Sequence, residues 1–173
     1  MVVADGRGLT IRLFTNAIEM TTPARILLVE DAPDEWRIAL ESFAESGLMD
    51  QTTVVKDRGE ALDFLYGRGP FRQRASGMPA VVVLGPTMKP ATALSTLGDI
   101  RNDADLRRLP VVLMGMFDVE TKRLAYAQGA NSVVGRRDDP KSRAESYAVL
   151  GRFWGWANVP PPGCIPQPKA SRP

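Results

Sequence analysis

ARILLVEDAPDE, residues 24–35, sets an unbroken aliphatic run, Ile26-Leu27-Leu28-Val29, directly before two carboxylates, Glu30 and Asp31, and then a proline. Four aliphatic residues in succession, with no polar alternation, predict a strand buried on both faces. Pro33 suits the first turn of a helix, because its ring fixes φ and it has no N–H to leave unpaired. Trp36, Leu40 and Phe43 follow at helical spacing, and Gly47 closes the pattern. A strand covered on both faces needs helices on both faces. The stretch therefore predicts one βα unit of a layered α/β domain.

Moving outward, the same alternation recurs four more times. Thr52 to Val55 is a weaker strand, followed by a helical face of Ala61, Leu62, Leu65 and Tyr66 that stops at Gly67. Val81-Val82-Val83-Leu84 precedes Gly85-Pro86 and a helix over about 91–101 carrying Leu94, Leu97 and Ile100. Val111-Val112-Leu113-Met114 leads to a helix from Asp118 to Gln128 with Gly129 at its end. Ser132-Val133-Val134 is a short last strand before a helix from Lys141 to Asn158 with Tyr147, Leu150 and Trp154 on one side. Five βα units predict a flavodoxin-like (βα)5 fold, a doubly wound parallel sheet of order 2-1-3-4-5. Chemistry in such sheets belongs at the C-terminal ends of the strands. Here that means Glu30-Asp31, Gly85, Gly115-Met116 and Gly135-Arg136.

Composition narrows the chemistry. The 173 residues contain no histidine, which excludes Ser-His-Asp and Cys-His catalysis, zincin motifs and a histidine phosphoacceptor. One cysteine, Cys164, excludes an intrachain disulfide and multi-cysteine metal sites, and fits a reducing compartment. With 22 basic against 20 acidic residues, net +2, no concentrated basic face points to nucleic acid. No apolar run approaches the roughly 20 residues of a membrane span, and the N-terminus does not read as a secretory signal. A cytoplasmic protein is the expectation.

Glu30-Asp31 after a buried strand has two readings: a cation or ion-pair cluster, or Asp31 as N-cap of the helix opened by Pro33. With ARILLVEDAPDE, GEALDFLYGRGPFR, LRRLPVVLM and YAQGANSVV in this order, roughly residues 24–162 resemble the receiver domains of CheY-like response regulators. The GRGPFR stretch, the loop after it and the closing Trp-rich helix with its Pro-Pro run resemble the stand-alone regulators that partner phytochrome-type histidine kinases. The resemblance implies three segments: an extension over 1–23, a receiver domain over 24–158 and a proline-rich tail over 159–173.

The resemblance also implies where the chain departs from its family. The phosphoacceptor aspartate at the end of the third strand falls on Gly85, which has no nucleophile. The hydroxyl residue after the fourth strand falls on Gly115. The lysine after the fifth strand falls on Arg136, and the proline after it on Arg137. Only the acidic pair, Glu30 and Asp31, remains. Mg²⁺ prefers near-octahedral oxygen coordination, so weak binding is the most these two carboxylates suggest and no cofactor is expected. Arg136, with its planar fork, is placed to reach Glu30 or Asp31 across the crevice; the other reading is an exposed arginine beside Arg137. Thr87 and Asp118 are poor substitutes as acceptors, Thr87 because no base is at hand and Asp118 because it caps the fourth helix.

GRGPFRQR lacks the Lys-Ser/Thr of a P-loop and follows a helix, so it reads as a surface loop whose Arg68, Arg72 and Arg74 face an acidic partner. Trp154 and Trp156 are two residues apart and lie on different faces. With Phe153 they are candidate interface residues for a homodimer. Residues 1–19 are either an arm that packs on a neighbour or sequence upstream of a start at Met20. The function expected is that of a pseudo-receiver: a non-enzymatic two-component signalling protein acting through contacts with a histidine kinase or another receiver. The alternative is a small-ligand or nucleotide-binding module using the space that the glycines leave in the crevice.

Overall fold

All five aliphatic runs form strands that pair in parallel: β1 (Ile26–Val29), β2 (Thr52–Val55), β3 (Val81–Leu84), β4 (Val111–Gly115) and β5 (Ser132–Gly135), in the order 2-1-3-4-5. Five α-helices connect and follow them: α1 (Pro33–Ala44), α2 (Arg58–Tyr66), α3 (Pro90–Asn102), α4 (Val119–Ala127) and α5 (Pro140–Gly151). The computed structural model describes residues 25–161. The expected N-terminal arm, Cys164 and the tail beyond Pro161 lie outside the described residues.

Alternation along the strands splits the core into two layers. Leu27, Val29, Val82, Leu84, Val111 and Leu113 face the layer completed by α2, α3 and α4. Ile26, Leu28, Val81, Val83, Val112 and Met114 face α1 and α5, where Phe43 and Tyr147 meet edge to face at 5.9 Å. Each fully buried aliphatic side chain contributes about 1.5–3 kcal/mol. The three inner strands, buried at every position, therefore dominate the stability of the sheet.

Several helix details differ from the sequence expectation. The buried face of α1 is Glu35, Ala39, Ser42 and Phe43, one position round from the expected Trp36-Leu40-Phe43 stripe; Trp36 packs at the margin of the core. Ala32, not Asp31, is the N-cap of α1, and it caps with no side-chain bond. On α2 Ala61 and Leu65 are in the core as expected and Phe64 joins them, while Tyr66 turns outward and donates to Asp103 at 2.6 Å. Gly67 ends α2 at φ 62°, a left-handed conformation that costs a Cβ-bearing residue about 1 kcal/mol or more. The last helix is α-helical only to Gly151. Arg152–Ala157 then continue as a π-helix, which lets Gly151 and Gly155 lie against Phe43 and Leu48 respectively.

Candidate functional site

The C-terminal ends of β1, β3, β4 and β5 converge on one crevice, as the topology requires. Glu30 is buried there, and no Lys or Arg among the described residues forms an ion pair with its carboxylate. Instead its Oε1 accepts from the Ala32 N–H at 2.8 Å and from the Thr87 hydroxyl, and its Oε2 accepts from the Thr87 N–H at 3.2 Å. Asp31 is exposed, and its Oδ1 lies 2.9 Å from the Thr87 hydroxyl oxygen. The hydroxyl has one proton to give, so it serves the two carboxylates in alternation. Thr87 thus has bases at hand, contrary to the sequence expectation. Only the fold, bringing residue 87 back over residue 30, could reveal this.

Gly85 lies at the end of β3, fully inside, with its N–H donating to the Val29 carbonyl at 2.8 Å. A Cβ at this position meets Glu30 Oε2 first, then the Val29 carbonyl oxygen at 2.7 Å and Glu30 Cβ at 2.9 Å. Gly115 ends β4, and a Cβ there meets the Phe117 ring at 2.8 and 3.0 Å. The expectation that two glycines leave the crevice empty is therefore corrected: Glu30 and Phe117 fill the space over them. What remains open is a pair of flanking cavities, one of about 460 Å³ reached by Thr87, Lys89, Met116 and Arg136 and one of about 310 Å³ reached by Glu30, Asp31, Lys56, Asp57 and Thr87.

Arg136 does turn inward, but to a different partner. Its Nη2 lies 3.7 Å from Oε2 of Glu35, and Arg143 Nη1 lies 3.5 Å from the same oxygen. Tyr147 donates its hydroxyl to Glu35 Oε1 at 3.4 Å. Burial, and then the Glu35 carboxylate, push the Tyr147 phenol far above its ordinary value. The expected reach to Glu30 or Asp31 fails because the first turn of α1 offers a nearer buried carboxylate. Glu35 was missed in the sequence, although its i, i+4, i+8 spacing with Ala39 and Phe43 places it on the buried stripe. The Nε atoms of Arg136 and Arg143 are buried without a hydrogen-bond partner among the described residues.

Asp118 caps α4 as expected, accepting from the Thr121 N–H at 2.7 Å. Arg74 does not face a partner. It donates to the carbonyls of Phe64, Leu65, Ala75 and Gly77 and lies over the Phe64 ring, tying down the loop after α2. Arg68 lies over the Tyr66 ring. Trp154 packs against the α1–α5 core layer and meets Phe153 edge to face at 5.0 Å, whereas Phe153 is half exposed. Trp156 points elsewhere and donates its indole N–H to the Ser46 carbonyl at 2.8 Å. Between α5 and β5 runs a groove of about 820 Å³ whose apolar wall is Val134, Val149, Leu150, Phe153 and Trp154. No helix among the described residues is long and apolar enough to cross a membrane.

A parallel sheet of order 2-1-3-4-5 with an acidic pair after β1 defines the class: a CheY-like receiver. No family model matches the sequence. Known proteins narrow the class further. The structure of the bacteriophytochrome response regulator RtBRR is 34% identical, with 83% of this chain and 87% of that one covered and a TM-score of 0.60. Response regulator Rcp1 of Synechocystis sp. is 28% identical over 137 residues, 79% of this chain and 92% of its own length. The fold also matches that of the phosphorylated cyanobacterial phytochrome response regulator RcpA, with a TM-score of 0.72 at 21% identity over 81% of this chain and 99% of that one. The chain belongs to the response-regulator receivers of two-component signalling, in the phytochrome-associated branch.

Proposed function

We propose that this chain is an atypical response regulator that works through protein contacts and accepts no phosphoryl group. The feature that supports this reading is Gly85: on the family resemblance it falls where the acceptor aspartate belongs, at the end of β3, and a glycine offers no nucleophile there, while the Thr87 hydroxyl is engaged by Glu30 and Asp31. Gly115 and Arg136 depart at two further positions of the same site. Mg²⁺ is not part of the proposal. Both Glu30 oxygens accept from backbone or hydroxyl donors, and a third carboxylate is absent where Gly85 stands. Other carboxylates do not make good the loss, because among the described residues no group of three or more metal-ligating side chains comes together.

A protein that does not turn over phosphate has only its surfaces to signal with, and on this reading it is not an enzyme. The partners proposed are a phytochrome-type histidine kinase, or a second receiver competing for the same kinase, in the cytoplasm. Self-association through Phe153 and Trp156 is part of the same proposal, since exposed aromatics of this kind anchor interfaces.

The test is incubation with acetyl phosphate and Mg²⁺, and separately with a phosphorylated kinase of the phytochrome type, followed by intact mass measurement. No mass gain in either arm, together with saturable binding of the chain to the kinase, is the expected result. A phosphoryl adduct on the unmodified sequence overturns the proposal.

A further inference from the structure

We propose that Glu30 and Phe117 close off the innermost part of the crevice, over Gly85 and Gly115, taking the places of the side chains absent at 85 and 115 and holding three loops in one arrangement without covalent modification. This rests on reading Gly85 as a position that accepts no phosphate, and adds how the site is regulated: it is fixed.

Glu30 supplies the first half of the closure. It is 2% exposed, belongs to the β1–α1 loop, and accepts from Ala32 in its own loop and from both the N–H and the hydroxyl of Thr87 in the β3–α3 loop. A buried carboxylate with donors from two loops ties them together, because hydrogen bonds to a charged acceptor are roughly twice as strong as neutral ones. It reaches this position across the Cβ site of residue 85. Phe117 supplies the second half. It is 8% exposed, packs with the α2–α3–α4 core layer, and carries the β4–α4 loop inward across the Cβ site of residue 115.

Each glycine is thus explained by the side chain over it, and each of these side chains can be where it is only because of the glycine. Gly98 on α3, by contrast, has no atom within 4 Å of its Cβ site; Gly151 and Gly155 are covered as closely as Gly85 and Gly115, but by the core residues Phe43 and Leu48 and away from the crevice. The two intruding side chains also come from different loops, so the closure does not depend on one local distortion.

Double-mutant cycles on the unmodified protein test this. Gly115→Ala lowers Tm by several degrees in the parent but by little or nothing when Phe117→Ala is present. Gly85→Ala costs less in a Glu30→Ala background than in the parent, with part of the loss retained because the Val29 carbonyl still crowds that Cβ. Gly98→Ala, the control, leaves Tm unchanged or raises it. Hydrogen exchange over residues 116–121 quickens in Gly115→Ala as the ring is displaced. Equal costs in both backgrounds for the Gly115–Phe117 pair overturn the proposal, and this pair carries the test if Gly85 variants do not fold. A phosphoryl adduct on the parent chain with both couplings intact overturns the proposed function alone. Additive cycles on a chain that takes no phosphate overturn the closure alone.

Discussion

Arg136 lies 3.7 Å from Glu35, joining the loop before α5 to the first turn of α1 in a place where the carboxylate is almost fully buried and Arg143 approaches the same oxygen at 3.5 Å. One carboxylate therefore balances two guanidiniums, and Tyr147 completes the cluster. Removing the carboxylate leaves two partly buried cations facing each other. Glu35→Ala is expected to destabilise the fold by roughly 3 kcal/mol, the usual consequence of breaking a buried ion pair from one side. Urea unfolding measures this; a loss below about 0.5 kcal/mol would mean that the cluster behaves as an exposed pair.

Alkali acts on the same cluster. The Tyr147 phenol titrates above its ordinary value of 10.0 in the folded chain, because burial and then Glu35 disfavour its anion. An acid whose folded pKa is raised contributes stability below the unfolded pKa, and this is lost as pH climbs past it. Stability should therefore fall above about pH 10. Tyr147→Phe should flatten that part of the Tm-against-pH curve.

Acid acts at the helix caps. The Thr121 N–H holds the Asp118 carboxyl below its ordinary 3.8, and the Ser142 N–H does the same for Asp139. Depressed folded values mean that stability is fully present above the unfolded pKa and is lost as pH falls through the folded one. Tm is expected to hold down to about pH 5 and then to drop below about pH 4. Asp118→Asn keeps a cap but removes the titration, so its acid limb should be shallower than the parent's.

The aromatic end of the chain separates packing from association. Phe153→Glu is expected to leave Tm within a degree or so while shifting the light-scattering mass toward the monomer. Trp154→Ala, which takes a ring out of the core margin, should cost about 2–4 kcal/mol whatever the oligomeric state. A Phe153→Glu protein that keeps the parent's mass at every concentration would rule out this face as the site of self-association.

Arg74 is a structural tie between α2 and the loop that follows. Arg74→Ala takes a donor from four carbonyls, of which Phe64 keeps the Gly67 N–H and Ala75 keeps Arg25. Protease sensitivity should then appear within residues 67–78, with a global loss of about 1–3 kcal/mol. Arg72→Ala, on an exposed side chain of the same loop, should change neither.

How far the sequence could be read depended on whether the information was local. β1, β3 and β4 were legible because strands covered on both faces show as aliphatic runs, and Asp118 was legible as a cap because its partner is three residues away. Gly115 and Gly135 were not recognised as the last strand residues, since glycine carries no side-chain pattern, yet they pair with each other at the sheet's end. The rotation of α1 was hidden because Trp36 and Leu40 outweigh Ala39 and Ser42 in hydrophobicity while Glu35 occupies the inner face. The target of Arg136 was hidden for a related reason: two carboxylates stood at the expected crevice, and nothing local says that a third, on a helix, lies closer. The filling of the crevice could not be read at all, because it depends on where Glu30 and Phe117 point.

Trp156, hydrogen-bonded to the Ser46 carbonyl, fastens the end of the π-helical segment beside the last turn of α1. Helices in this topology run back against the strands, so that corner is the floor of the domain and the crevice is its roof. A fluorophore, bead or surface coupled at residue 158, where this segment ends, would therefore hang from the floor. An immobilised sample would present its crevice loops outward, in a uniform orientation, to whatever flows over it.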